Sequence, residues 1–255
     1  TTVITTGSIT SNLARTTALV ARRLGLKCVL VLSGGDPRAA RANARVAELL
    51  GVTVHSVAAR EDRDRTMNEA AKELERQGER VYRIPLGASD ATGSFGMAAA
   101  MAELELQQLE LGVRFAAVVL ATSSGGTQAG LEAGKRIFGY DRLRILGASA
   151  DDPAGSIKEA VLKALNPMLA RVGLPAAVRA EELSVDDSFV GGGYGVPTAE
   201  SEEAMRLFAE TEGLLLDPVY TAKGAAAFLA YCRGGRFAPT DHVLFWHTGG
   251  LMTLI

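Results

Sequence analysis

The chain has 255 residues, of which 47% are hydrophobic and 22% charged, with a formal net charge of -2. That is enough apolar material for one large α/β domain or two smaller ones, and it offers no basic excess for nucleic acid. No run of 18 or more apolar residues is present, which excludes a helical membrane span; two cysteines and no secretory signal point to the cytoplasm.

Apolar runs alternate with amphipathic stretches from the start. "TVIT" reads as a strand, Asn12 to Leu24 as a helix, "KCVLVL" as a strand with Cys28 a core thiol, and "AARANARVAELLG" as a helix. "VTVHSV", the charged helix "DRDRTMNEAAKELERQG" and "RVYRIP" follow. A helix from Phe95 to about Leu111 precedes the strand "FAAVVLAT", a helix from Thr127 to Phe138 and the strand "LRILGAS". Short apolar runs separated by helices of this length predict parallel strands buried on both faces. Right-handed crossovers then place helices on both sides. The fold class is therefore α/β, with open, twisted, mostly parallel sheets.

"SGGDP" at Ser33 to Pro37 and "GVP" at Gly195 to Pro197 are turn chemistry. Two passages break the βα rhythm, "EELSVDDSFVGGGYGVPT" and "LLLDPVYTAKG", and irregular segments of a regular fold are where function concentrates. The expected organisation is a smaller Rossmann-like subdomain over approximately 33–89. The remainder, approximately 1–32 and 90–255, forms a larger one.

The strand-end loops carry the candidate chemistry. "ATSSGGTQAG", Ala121 to Gly130, joins a strand to a helix through small residues. Free backbone N–H groups and the helix dipole there favour an anion, and the alternative is a tight βα turn. It is neither a P-loop nor a dinucleotide fingerprint, because the lysine ending and the glycine spacing are both missing. In "TTGSITSNLARTT", Ser11 and Asn12 open a helix, where capping is the plain alternative to ligand binding. Tyr194 in "GGGYGVPT" and Tyr220 in "DPVYTAKG" stand among turn residues, either as half-buried rings or as site groups. His247 in "LFWHTGG" admits a base role or a structural one. His55, His242 and His247 are scattered without metal-ligand spacing, so no metal is expected. Because all strands of a parallel sheet end on one edge, these loops converge on one cleft, and a phosphate-bearing ligand is the joint inference.

"TTGSITSNLAR", "ATSSGGTQAG", "GGGYGVPT", "LLLDPVYTAKG" and "LFWHTGG", in this order, resemble the D-cysteine desulfhydrase and 1-aminocyclopropane-1-carboxylate deaminase family of fold-type II (tryptophan-synthase-β-like) enzymes. The resemblance runs from Thr1 to the region of Gly250. It implies two Rossmann-like subdomains, pyridoxal 5'-phosphate as cofactor, a small amino-acid substrate and a homodimer. By the same resemblance, Ser124, Gly125, Gly126 and Thr127 cradle the cofactor phosphate and Asn12 bonds its 3′-oxygen. Ser11 approaches or acts on the substrate carboxylate, and Tyr194 and Tyr220 flank the substrate as stacking or acid/base groups. Thr248 faces the pyridine nitrogen as a neutral partner, which suits eliminations.

"GGTQAG", "VYT" and "HTGG" look more like the desulfhydrase branch, since the deaminase branch carries a Glu of its ring-opening site where Thr221 stands, and by that resemblance Thr221 lines the substrate pocket together with Leu13. The resemblance thus implies α,β-elimination from D-cysteine or a β-substituted alanine, releasing pyruvate and ammonia. The alternatives are deaminase-type ring opening and a lysine-less relative that binds without turnover. Three departures matter: Leu13 replaces a polar residue beside the substrate, Ser123 stands where Gly is usual, and the Schiff-base lysine lies upstream of the first motif in the family. Lys27, at the start of the next strand, is no substitute. The expectation is that an N-terminal segment preceding Thr1 is absent from the sequence.

Overall fold

In a computed structural model, which describes residues 1–34 and 43–251, the alternating apolar runs become two separate parallel sheets. The first lies in a unit of residues Thr1–Ala88. Its strands are β1 (Thr2–Ser8), β2 (Lys27–Ser33), β3 (Thr53–Val57) and β4 (Val81–Ile84), in the order β3-β2-β1-β4. Helices α1 (Asn12–Arg23), α2 (Asn43–Leu49) and α3 (Arg63–Arg76) complete it. Side chains on β2 alternate, as strand geometry requires. Cys28, Leu30 and Leu32 pack with Ala14, Ala18 and Ala21 of α1, whereas Val29 and Val31 pack with Met67 and Ala71 of α3. Burial on both faces explains the unbroken apolar run of this strand, and burial pushes the Cys28 thiol up to about 11.

The second unit comprises Ser89–Leu254. Strands β5 (Phe115–Thr122), β6 (Arg144–Ser149), β7 (Ser184–Asp186) and β8 (His242–Trp246) form a parallel sheet in the order β7-β6-β5-β8. Its helices are α4 (Phe95–Leu111), α5 (Gly126–Ile137), α6 (Ala154–Arg171), α7 (Ala199–Glu212) and α8 (Thr221–Arg233). Val118 and Leu120 of β5 meet Met101 and Leu104 of α4 and Leu131 of α5. Ala117 and Val119 meet Ala227 and Tyr231 of α8 on the other face.

Each sheet has the same internal order, in which its first strand lies between its second and its fourth. The chain therefore reverses its direction of winding at β1 in one sheet and at β5 in the other. In open α/β sheets such reversals open a crevice at the carboxyl ends of the strands. The loop after β1 ends at Ser11, with Asn12 opening α1, and the loop after β5 carries Ser123 to Gly125.

The sequence-based division needs correction. Residues 1–32 belong with the smaller unit, because β1 pairs in register with both β2 and β4 and is a central strand of that sheet. An apolar strand gives no local signal of which sheet it will join. "EELSVDDSFVGGGYGVPT" contains the short strand β7, and α7 follows it. "LLL" at 214–216 forms no strand; Leu216 is buried while Leu214 and Leu215 are exposed. Gly35 to Pro37 of "SGGDP" and the first residues of the predicted "AARANARVAELLG" helix lie outside the described residues. Among the described residues, no helix is long and apolar enough to cross a membrane.

Candidate active site

The loop after β5 is built to leave backbone N–H groups uncovered. Gly125 is the N-cap of α5, has φ 80 and supplies no capping side chain. A Cβ added there would lie 2.8 Å from Val161 N and 3.0 Å from the Ala160 carbonyl carbon. Both the left-handed backbone and the missing space therefore require glycine. The first turn of a helix has no intrahelical acceptors for its N–H groups, so this end of α5 presents them together with its dipole. The Gly126 N–H donates to Ser89 Oγ at 3.2 Å, and the Ser89 hydroxyl donates to Ser124 Oγ at 2.7 Å. That relay leaves the Ser124 proton to be given onward, and Thr127, in the first turn of α5, is half-buried. Ser89 escaped the sequence reading because it is 35 residues from Ser124.

Ser123 is used differently. Its hydroxyl donates to Asp151 Oδ2 at 2.7 Å, just past the end of β6. With Ser124 on the cofactor phosphate, as the resemblance implies, Ser124→Ala is expected to weaken cofactor affinity about tenfold, the worth of one hydrogen bond to a charged group. Ser123→Ala should stay within about twofold, since its hydroxyl is committed to Asp151. Titration of the apoprotein with cofactor reads both variants, and equal losses would reverse the assignment.

Tyr194 and Tyr220 come together, hydroxyl to hydroxyl at 2.7 Å, with ring centroids 5.8 Å apart in an edge-on arrangement. Burial raises the Tyr220 pKa well above the ordinary tyrosine value, and the neighbouring Tyr194, Asp151 and Asp217 add to the shift. Tyr220 precedes α8, and its backbone is held by the fully buried Asp217. The Asp217 carboxylate accepts from the N–H groups of Val219, Tyr220 and Thr221 at 2.8–3.0 Å and from the Thr221 hydroxyl at 2.7 Å. Thr221, expected to line the substrate pocket, is instead fully buried with its hydroxyl committed to this cap. Thr221 is the first residue of α8, and its hydroxyl also accepts from the Asp217 N–H at 2.7 Å, so both its bonds close the turn that leads into the helix.

The "HTGG" loop packs against the same aspartate: a Cβ on Gly250 would fall 2.7 Å from Asp217 Cγ. His247 Nδ1 accepts from the Gly249 N–H at 3.1 Å, which leaves Nε2 to donate to the Leu215 carbonyl at 3.1 Å. Both ring nitrogens thus shape the loop, and His247 takes the structural role. The same turn leaves Thr248 exposed.

In the first unit, Ser11 is the N-cap of α1 and accepts from the Ala14 N–H at 3.1 Å, so capping is its observed bond. Asn12 and Leu13 are half-buried at the first turn. The buried Asn12 Oδ1 has no hydrogen-bond partner among the described residues. A buried polar atom left without a partner costs stability and calls for an explanation.

Two lysines complete the inventory. Lys27 is exposed and ion-paired with Glu79, which agrees with setting it aside. Lys223 was missed altogether, though it is fully buried on α8. The signal was available: it is the lone cation in "TAKGAAAFLA", an otherwise small and apolar helical stretch. Its Nζ donates to three carbonyls, the bonding of an ammonium and not of a nucleophilic amine. No group of His, Cys, Asp or Glu capable of holding a metal ion occurs among the described residues.

A family model described as "Pyridoxal-phosphate dependent enzyme" matches residues 1–249. Among solved structures, the chain is similar to an ACC deaminase homologue at 30% identity and a TM-score of 0.87, covering 99% of this chain and 74% of that one. A threonine deaminase from T.th. matches at 20% identity and a TM-score of 0.64, over 98% of this chain and 77% of that one. An Escherichia coli diaminopropionate ammonia lyase matches at 16% identity and 0.66, over 99% and 65%. The latter two similarities are of fold.

Proposed function

Because the chain belongs to the pyridoxal-phosphate-dependent enzyme family, we propose that it catalyses α,β-elimination from a small amino acid with a β leaving group. D-cysteine and β-substituted alanines are the substrate class; the products, after water hydrolyses the released enamine, are pyruvate, ammonia and the leaving group, hydrogen sulfide from D-cysteine or chloride from β-chloroalanine. The residues present fit the phosphate of pyridoxal 5'-phosphate. Gly125 keeps bare backbone where a Cβ would strike Val161, and the uncapped start of α5 supplies donors for a dianion.

When bound, the cofactor supplies an electron sink for the pair left at the substrate α-carbon. Ser124, Thr127 and the backbone from Gly125 hold the phosphate, and the Thr248 hydroxyl serves the ring nitrogen as a neutral partner. Tyr220, whose pKa is raised by burial, keeps its proton at Oη through the neutral range. It therefore has a proton to give toward the departing β-substituent, and Tyr194 is the neighbour through which that proton is replaced. The observation that carries this reading is the hydroxyl pair itself, 2.7 Å apart. In the deaminase branch that the sequence resembles, a Glu after the tyrosine belongs to the ring-opening site. Thr221, buried against Asp217, supplies no such carboxylate, which supports elimination over the deaminase reaction.

The test is product analysis of the full-length enzyme with D-cysteine, β-chloroalanine and 1-aminocyclopropane-1-carboxylate. Pyruvate is expected from the first two. Release of 2-oxobutanoate from the third, with no pyruvate from the others, would transfer the chain to the ring-opening class.

A further inference from the structure

Lys223 lies three residues after Tyr220 on α8 and is completely shut off from solvent. Its ammonium gives one proton to the Ala150 carbonyl at 2.9 Å, one to Val190 at 2.8 Å and one to Gly193 at 2.7 Å. Three carbonyls converging on one nitrogen replace the water an exposed ammonium would hold, which is the condition for keeping a charge inside a protein. Burial draws the Lys223 pKa below the ordinary lysine value, with the charge of Asp151 opposing the shift.

The three acceptors are not scattered. Val190 and Gly193 belong to the loop that carries Tyr194, and Tyr194 is flanked by Gly193 at φ 119 and Gly195 at φ 71. A chain with that much backbone freedom does not fix a side chain by itself. The third acceptor, Ala150, donates its own N–H to the Thr122 carbonyl at 2.9 Å, at the end of β5. The next residue, Asp151, receives the Ser123 hydroxyl from the phosphate-binding loop. One nitrogen thus ties the tyrosine loop to the strand ends from which that loop springs.

We propose that Lys223 is a positioning residue: its ammonium acts as a built-in cation in a three-carbonyl cage, holding Tyr194 against Tyr220 and in register with the phosphate-binding loop. The catalytic part of this inference rests on the elimination reading above, whereas its structural part does not.

The experiment uses the full-length holoenzyme as Lys223→Ala, in ammonium chloride and, at equal ionic strength, in tetramethylammonium chloride. Ammonium fits the vacated cage, and the bulkier ion, without N–H donors, does not. Chymotryptic cleavage at Tyr194 reads the loop, and is expected to run about tenfold faster in the variant and to slow again only in ammonium. The kcat is expected to fall about 100-fold with KM within about threefold, the pattern of a misplaced catalytic group, and to recover in ammonium. Wild-type kcat and wild-type loop protection in the variant would overturn the proposal. So would recovery that is equal in both salts, or a loss that ammonium leaves untouched. If ammonium restores the loop but the wild-type enzyme itself makes no pyruvate, the elimination reading falls and the role of Lys223 in the loop stands. Should the alanine variant not fold in either salt, Lys223→Arg decides, because a planar guanidinium cannot converge on three carbonyls from one nitrogen. A folded arginine variant with faster cleavage and reduced kcat upholds the proposal; wild-type behaviour, or failure to fold, assigns Lys223 to stability alone.

Discussion

Gly125→Ala is expected to abolish cofactor binding and to lower the thermal midpoint by about 5–15 °C. Two costs add at this position. The φ of 80 puts an alanine in the left-handed region, at about 1–2 kcal/mol. The new Cβ would lie 2.8 Å from Val161 N, and its neighbour is the backbone of α6, which cannot swing aside as a side chain would. Overpacking of this kind costs about 1–3 kcal/mol. Relief comes only by moving the start of α5, and that start is where the phosphate donors are. Gly155→Ala is the control: it lies in the first turn of α6 with nothing within 4 Å of an added Cβ. There alanine should be neutral or stabilising by about 0.5 kcal/mol, through helix propensity. Calorimetry with and without cofactor separates the two effects. A Gly125→Ala enzyme that binds cofactor normally would remove this loop from the site.

The same contrast between local and distant partners explains what could be read from sequence. Helix α4 and strand β5 were legible to the residue, Phe95–Leu111 and Phe115–Thr122, because long periodic runs and their breakers are local. The glycine loop was legible for the same reason, since strand, small residues and helix start are contiguous. Membership of β1 in the smaller sheet was not, because it is decided by pairing with Lys27–Ser33 and Val81–Ile84. Strand β7 is only three residues long and half-buried, too short for a period to register. Lys223 finds its acceptors 73, 33 and 30 residues away. Its isolation among apolar neighbours was a signal that went unread, and nothing local names what it holds. Thr221 shows the converse error, in which a resemblance suggested a pocket wall and the buried Asp217 claimed the hydroxyl first.

Tyr220→Phe is expected to separate leaving groups. The substitution removes only the hydroxyl. The ring keeps its edge-on packing on Tyr194, with centroids 5.8 Å apart, so cofactor binding and fold should be retained. The sulfur of D-cysteine departs as hydrosulfide, a far more basic leaving group than chloride, and gains from a proton in the transition state. Chloride leaves as a stable anion and needs none. Loss of a general acid costs about 10²–10⁴-fold, so kcat/KM for D-cysteine should fall by about that much, and for β-chloroalanine by about tenfold or less. The pH dependence has a definite sign. Burial and then Tyr194 raise the Tyr220 pKa above the ordinary tyrosine value, so the acid form persists as pH rises, and no alkaline limb from Tyr220 should enter the wild-type profile below about pH 10. Tyr194→Phe removes the partner whose charge and hydrogen bond add to that shift; it should therefore bring such a limb to lower pH while costing less activity at neutrality. If the two hydroxyls work as a unit, the double variant will be no slower with D-cysteine than Tyr220→Phe alone. Equal losses with the thiol and chloride substrates would sink the proton-donor role and leave the pair as a stacking wall.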